Sequence, residues 1–172
     1  MNGLVAYDSY HGNGERVATA IAEELTAAGH AARVFALHRE KPSKDVLAAA
    51  EFLVLGGPTR MKHMSRRAAA FAKKLDAGAW AGRPVLVYDT WGPLDPDPAK
   101  NENNAWLFPG GVAELRQRLE EKGMRVAPIE LRCLVTGMKG PLAEGAVDDA
   151  RVAAQAFAEL LAGKAWTRSV AR

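Results

Sequence analysis

A polar, glycine-containing run near the start of the chain has the residue types that bind phosphate. It lies between a short apolar run, residues 4–7, and a helical pattern in which Val17, Ile21 and Leu25 share one face. A strand, a tight loop and a helix in that order leave the first backbone N–H groups of the helix unpaired, at the positive end of its dipole. The residues of this loop are Ser9, Tyr10, His11, Gly12, Asn13 and Gly14. The alternative is an ordinary strand-to-helix turn with an Asn/Gly cap.

Other chemical motifs are incomplete. Val17 stands where the dinucleotide-binding fingerprint requires Gly or Ala, and no Gly-Lys-Ser/Thr follows the loop. No His, Cys and carboxylate residues have the spacing of metal ligands. Gly56 and Gly57 end an apolar run where a phosphoacceptor receiver domain would need an acidic residue. A phosphate-binding loop is therefore the chemistry that the residues favour most.

Composition favours one domain of ordinary size. The chain has 172 residues, of which 48% are hydrophobic and 25% charged, and we predict a domain over residues 1–163 with a basic tail over 164–172. A net charge of +3 says little about partners, and no nucleic-acid motif accompanies it. Cys133 is the only cysteine, so no intrachain disulfide forms. Without a leader or a spanning apolar run, we expect a cytoplasmic protein that does not bind membranes.

Apolar runs and helical patterns alternate along the chain. Strands are predicted at residues 4–7, 33–37, 52–55, 85–88 and 126–135, and helices from 13 to Gly29 and at 44–49, 65–75, 112–122 and 147–161. Residues 90–111 form a long, proline-rich loop, a length that is usually functional or mobile. This alternation predicts an α/β fold, a doubly wound five-stranded parallel sheet with helices on both faces.

The burial patterns of the strands favour one order. The first, third and fourth strands read as buried on both faces, whereas the second and the Pro128-containing fifth read as edge strands. The order 2-1-3-4-5 fits this pattern. Ligands then bind beyond the strand ends between the first and third strands. Residues 9–14, 57–64 and 90–92 line that crevice.

With these features in place, the chain resembles the flavodoxin superfamily, the standard example of this strand order. Ser9, Gly12 and Asn13 match the phosphate loop of that family, whereas His11 and Gly14 depart from it. The run from Gly57 to Arg60, with Met64, resembles the ring-binding loop of WrbA-like quinone reductases, although Met61 and Lys62 replace its aromatic residue and glycine. The turn at residues 137–142 is also similar to that of many flavodoxin domains.

The resemblance implies FMN as the cofactor. The first loop would hold the FMN phosphate, and two later loops would contact the isoalloxazine ring. Those loop residues are Gly57, Pro58, Thr59, Arg60, Met61, Thr90, Trp91 and Gly92. Trp91 is the candidate for stacking on the ring, and a loop-packing role is its alternative. Trp106 and Phe108 are candidates for a lid or for a hydrophobic anchor of the long loop.

Three functional hypotheses remain open at this point. The first is an FMN-binding flavodoxin-like protein that transfers electrons to a redox partner protein. The second is an NAD(P)H-dependent quinone reductase of the same superfamily, with a small-molecule quinone as acceptor. The third is a flavodoxin fold that has lost FMN and serves as a binding or regulatory module. Visible absorbance and FMN titration separate the third hypothesis from the other two.

A basic segment has no role in this scheme. Residues 60–74 contain six Lys and Arg residues and no acid. A solvated helix face is one interpretation. The other is a docking surface for an acidic redox partner or for the phosphate of NADPH.

Overall fold

The structure, a computed structural model, describes residues 1–102 and 104–164. In these two ranges the strands are β1 (Asn2–Tyr7), β2 (Ala31–Ala36), β3 (Phe52–Arg60), β4 (His63–Met64), β5 (Pro84–Trp91), β6 (Arg125–Val126) and β7 (Leu131–Leu134). The α-helices there are α1 (Asn13–Ala27), α2 (Lys44–Ala49), α3 (Arg66–Lys74), α4 (Ala77–Trp80), α5 (Gly111–Glu121) and α6 (Ala146–Leu161). The predicted tail lies outside the described residues except for Lys164.

The sheet has the predicted topology. Its order is β2-β1-β3-β5, and β6 and β7 both pair in parallel with β5, so that together they occupy the fifth position. In register, Val5 of β1 faces Val34 on one side and Val54 on the other. The order 2-1-3-4-5 is therefore confirmed, with β5 as the fourth strand.

Two apolar layers cover the two faces of this sheet. Val5, Val54 and Leu86 pack against α1 and α6, because alternate side chains of a strand point the same way. Leu4, Leu53 and Val85 point to the opposite face and pack against α3 and α5. The prediction of helices on both faces is confirmed. Among the described residues, no helix is both long and apolar enough to cross a membrane.

The third strand continues beyond its predicted end. We expected the glycines after Leu55 to break it, whereas β3 runs to Arg60. Gly56 and Gly57 pair with Tyr88 and Asp89 of β5. A Cβ atom on Gly56 would lie 2.2 Å from the Tyr88 ring, so the glycine makes room for an aromatic side chain.

The fifth strand is divided, where one strand over residues 126–135 was predicted. Pro128 has no N–H to donate to a ladder, and residues 127–130 lie between β6 and β7 without belonging to either. The Arg116 guanidinium instead donates from Nη2 to the carbonyls of Ala127 and Ile129, at 3.0 and 3.2 Å. A side chain of α5 thus satisfies backbone groups that strand pairing leaves free.

Candidate functional site

The first loop presents an uncapped helix end. Gly12, the N-cap residue of α1, has φ +81°, and no side chain caps the helix there. Glycine reaches this left-handed conformation without steric cost. The first N–H groups of α1 therefore have no capping side chain, and Asn13 and Gly14 bring them to the wall of a cavity.

Two long-range hydrogen bonds fix this loop. The Tyr88 hydroxyl donates to the carbonyl of Gly14 at 3.0 Å, reaching from β5 across Gly56. The Asn13 Nδ2 donates to the carbonyl of Lys139 at 3.2 Å, which connects the loop with the turn before α6. Tyr88 is fully buried, and burial holds the pKa of its hydroxyl well above 10. It is thus a neutral donor at physiological pH.

The second wall of the cavity is a hairpin made by β3 and β4. Arg60 pairs with His63, so Met61 and Lys62 form a two-residue turn. Their φ values are +49° and +64°, in the left-handed region that side chains rarely adopt. The N–H of Lys62 donates to the carbonyl of Trp106 at 2.6 Å. This bond brings the long loop against the tip of the hairpin.

A buried ion pair connects this hairpin with a third wall of the cavity, which contains Trp91 at the end of β5. Asp89 is fully buried, and Arg132 binds it through Nε (3.1 Å to Oδ1) and Nη2 (2.9 Å to Oδ2). The Thr59 hydroxyl donates to the same carboxylate and accepts from the N–H of Gly111 at 2.8 Å. We call these three side chains, Asp89, Arg132 and Thr59, the Asp89 network. It joins β3, β5, β7 and the start of α5.

Two opposing influences act on the Asp89 carboxyl. Burial raises its pKa above the usual value, while hydrogen bonds and charge from Arg132, then Thr59, pull it down. The Arg132 guanidinium also lies 4.4 Å from the centre of the Trp91 ring and 5.5 Å from that of Phe108. Trp91 and Phe108 pack edge to face at 5.5 Å. The Asp89 network therefore positions the aromatic side chains of the third wall.

These walls enclose a cavity of about 670 Å³, within the usual range for small-molecule sites. All of the predicted site residues line it except Gly12 and Gly57. Gly12 is the N-cap residue of α1. Gly57 packs away from the cavity, since a Cβ there would lie 2.8 Å from the Ser65 hydroxyl. Whether the lining residues bind FMN stays a prediction.

The cavity has further lining residues that the sequence did not predict. They are Pro93, Asn104, Leu107, Val135, Met138 and Lys139. Trp106 also lines the cavity, in keeping with a lid, whereas Phe108 packs on Trp91. The turn at residues 137–142 was the signal for Met138 and Lys139, because it resembles the turn found in flavodoxin domains. Nothing in the sequence marked Asn104.

No group of three or more His, Cys, Asp or Glu side chains in residues 1–102 and 104–164 could hold a metal ion. Asp8 is fully buried beside the first loop, and neither of its carboxylate oxygens has a hydrogen-bond partner in these ranges. The Arg67 Nη1 lies 3.5 Å from its Oδ1. The arginine thus offsets a negative charge that would otherwise oppose an anion in the loop.

Comparison with known proteins identifies the class. A family model described as a flavodoxin domain matches residues 4–126, which is well over half of the chain. The chain therefore belongs to the flavodoxin family. The comparison with curated proteins finds no match.

Several solved structures share the fold. Oxidised flavodoxin 2 from Bacillus cereus is 26% identical, with a TM-score of 0.71 over 93% of this chain and 99% of that one. A flavodoxin from the domain Archaea is 19% identical, with a TM-score of 0.72 over 94% and 99%. A WrbA-like flavodoxin from Agrobacterium tumefaciens is 21% identical, with a TM-score of 0.69 over 95% and 99%. The two structures below 25% identity show a shared fold and no more than that.

Proposed function

We propose that this protein binds FMN in the cavity and acts as an electron-transfer protein. The observation that carries the proposal is the uncapped start of α1, which opens on an aromatic-lined cavity in a member of the flavodoxin family. Free N–H groups and a helix dipole at one end suit a phosphate. Aromatic and apolar walls at the other end suit a planar ring.

The chemistry of the lining residues fits FMN. Ser9 and Asn13 add side-chain donors to the backbone N–H groups of the first loop. Tyr10, Trp91 and Trp106 supply flat apolar surface. The Trp91 Nε1 is buried and has no hydrogen-bond partner among the described residues.

Each wall then has a distinct task. The first loop holds the phosphate, the 58–61 segment orients the ring, and Trp91 and Trp106 exclude water from it. The bound FMN supplies the redox chemistry, which the side chains of this protein do not provide. The protein tunes that chemistry through the charges and the packing around the ring.

The test is a comparison of FMN with riboflavin. The purified protein is examined for flavin absorbance, and apoprotein is titrated with each ligand while flavin fluorescence is followed. We expect FMN to bind at least tenfold more tightly than riboflavin, which lacks the phosphate. Equal affinities would contradict the phosphate-binding role of the first loop. No binding of either ligand would favour the third hypothesis, a flavodoxin fold that serves as a binding or regulatory module.

A quinone reductase is the second candidate function. Pro58, Thr59 and Arg60, which carry the resemblance to WrbA-like reductases, all line the cavity. Arg60 thereby places at the cavity wall a cation of the type that binds phosphate. FMN-loaded protein should oxidise NADPH with benzoquinone as acceptor under this hypothesis. An FMN-loaded protein without that turnover would remain an electron carrier.

A further inference from the structure

One side of the cavity mouth is strongly basic. We define the basic face as Arg60, Lys62, Arg66, Arg67, Lys73 and Lys74, all of which are exposed. Arg66 and Lys73 are seven residues apart on α3, as are Arg67 and Lys74, so each pair spans roughly 10 Å along the same side of the helix. Between residues 60 and 74 no acidic residue interrupts this charge.

Most of these cations have no carboxylate partner. Among the described residues, Lys62, Arg66, Lys73 and Lys74 form no ion pair with an acid, and Arg67 alone is paired, with Asp8. The long loop differs, since it carries Asp95, Asp97 and Glu102 against one cation, Lys100, which pairs with Asp95. Most of the positive charge of the basic face is therefore uncompensated by nearby acids.

Helix stability does not account for the position of the arginines. Lys73 and Lys74 lie in the last turn of α3, where the helix dipole favours cations. Arg66 and Arg67 lie in the first turn, where the dipole disfavours them, and α3 has no acid there and no side-chain cap. Only Arg67 is compensated, by Asp8. The charge of Arg66 therefore does not stabilise α3.

An apolar rim adjoins the basic face. We define it as Tyr10, Met61, Trp106 and Met138, cavity-lining side chains that are 47, 61, 62 and 84% exposed. Arg60 lies 4.3 Å from the centre of the Tyr10 ring, and Arg67 lies 5.6 Å from it. The two surfaces are thus continuous. Exposed Tyr, Trp, Met and Arg side chains are the types enriched in protein interfaces.

We propose that the basic face and the apolar rim together form the docking surface for an acidic protein. Cations that held a small anionic ligand would converge in the cavity, but of the basic face only Arg60 lines it. Charges spread along a helix outside the cavity instead complement a second protein surface and steer its approach. The inference that this partner exchanges electrons at the cavity rests on the proposed function. The inference that the partner is acidic rests only on the charges of this surface.

The test uses an acidic plant-type ferredoxin as the probe and basic cytochrome c as the opposite-charge probe. Binding is measured by fluorescence anisotropy at low and high salt, with apoprotein and with FMN-supplemented protein. The test variant is R66E/K73E. Its first substitution suits the start of α3 and its second disfavours the end, so their effects on the helix oppose each other. The matched control, K41E/K44E, has the same net charge and alters the connection after β2 and the start of α2.

We expect wild-type protein to bind the ferredoxin more tightly than cytochrome c, with an affinity that falls as salt rises. R66E/K73E should weaken ferredoxin binding roughly tenfold or more, and K41E/K44E less than about twofold. Equal losses in the two variants, or a preference for cytochrome c, would overturn the proposal. So would tighter binding of this face to anionic lipid vesicles or to an oligonucleotide. Because apoprotein is included, a protein that fails to bind FMN can still pass this test, and the reverse also holds.

Discussion

Replacing Arg132 by methionine tests the most deeply buried part of the site. The substitution keeps most of the side-chain length and removes the guanidinium that binds Asp89, which is fully buried. Thr59 and the N–H of Val112 remain as donors to the carboxylate. They leave its negative charge without a counter-ion, so the variant holds an uncompensated charge in the interior.

The size of the effect follows from this burial. Removing one member of a buried ion pair costs about 3–5 kcal/mol, a large part of the 5–15 kcal/mol that is typical for domains. We therefore expect R132M to lower the free energy of unfolding by about 3 kcal/mol or more near pH 7. The same variant frees the rings of Trp91 and Phe108 from the cation that packs on them. FMN affinity should fall with stability.

The dependence on pH separates this mechanism from a simple packing defect. Burial already raises the pKa of Asp89, and loss of Arg132 removes the main opposing influence, so this pKa rises further. A carboxyl whose folded pKa exceeds its unfolded pKa destabilises the protein as pH rises through the folded value. The deficit of R132M relative to wild type should therefore shrink as pH falls from 7 towards 5. Urea unfolding at several pH values measures it.

The control is R151M, an identical change at an exposed ion pair. Arg151 binds Glu23 and Glu24 at 2.8 and 3.0 Å but is 37% exposed, so its loss should destabilise the protein far less than the loss of Arg132. A cost for R132M as small as that of R151M, or one that does not change with pH, would refute the reasoning. Replacing both partners, as in D89L/R132M, should recover much of the loss, because no charge is then left unpaired.

The other predictions concern the first loop, the third wall and the sheet edge. G12V should raise the FMN Kd by roughly tenfold, because a β-branched residue disfavours the φ of +81° at this position. A steric clash is not the cause, since no atom lies within 4 Å of a Cβ there, and G12N, which tolerates that φ, should keep the wild-type Kd. Y88F should lower the free energy of unfolding by about 1 kcal/mol in urea titration, the value of its hydrogen bond to Gly14; an unchanged midpoint would deny that bond a role. W91A should shift the FMN midpoint potential measured by dye-linked titration, and an unchanged potential would place Trp91 away from the ring. Burial lowers the pKa of His30 below 6.5, so the folded state binds fewer protons than the unfolded state and the protein loses stability as the pH is lowered through that pKa. H30Q should therefore flatten the pH dependence of the free energy of unfolding between pH 7 and 5.

The fold was predictable because periodicity in the sequence mirrors burial in the sheet. The apolar run over residues 52–55 is buried on both faces, and Val17, Ile21 and Leu25 form the buried stripe of α1. The errors arose where tertiary contacts replace local rules. Gly56 and Gly57 continue the strand by pairing with β5, and they are glycines because the Tyr88 and Ser65 side chains occupy the space that a Cβ atom would need. The residues next to the glycines in the sequence do not indicate these contacts. The break in the fifth strand depends partly on Arg116, which belongs to another element.

The loops that line the cavity could be predicted from the sequence, but the side-chain contacts that hold those loops in place could not. Strand ends meet at a known edge of a parallel sheet, so residues from three separate loops could be grouped before any coordinates. The Asp89 network could not be predicted in the same way. It joins Thr59, Asp89 and Arg132, which are far apart in sequence, and neither a buried carboxylate nor its partner leaves a periodic signal.

The Met61–Lys62 turn is held by contacts of the cavity wall and also presents side chains to the apolar rim and the basic face. Two consecutive left-handed residues with side chains cost about 1–2 kcal/mol each, where Asn-Gly would be nearly free of cost. The turn is held by the β3–β4 pairs on one side and by the Lys62–Trp106 hydrogen bond on the other. Asn-Gly would keep that backbone but would remove an apolar rim residue and a cation of the basic face. The stability of the turn therefore does not explain Met61 and Lys62, and their place in the apolar rim and the basic face gives the docking proposal a further support.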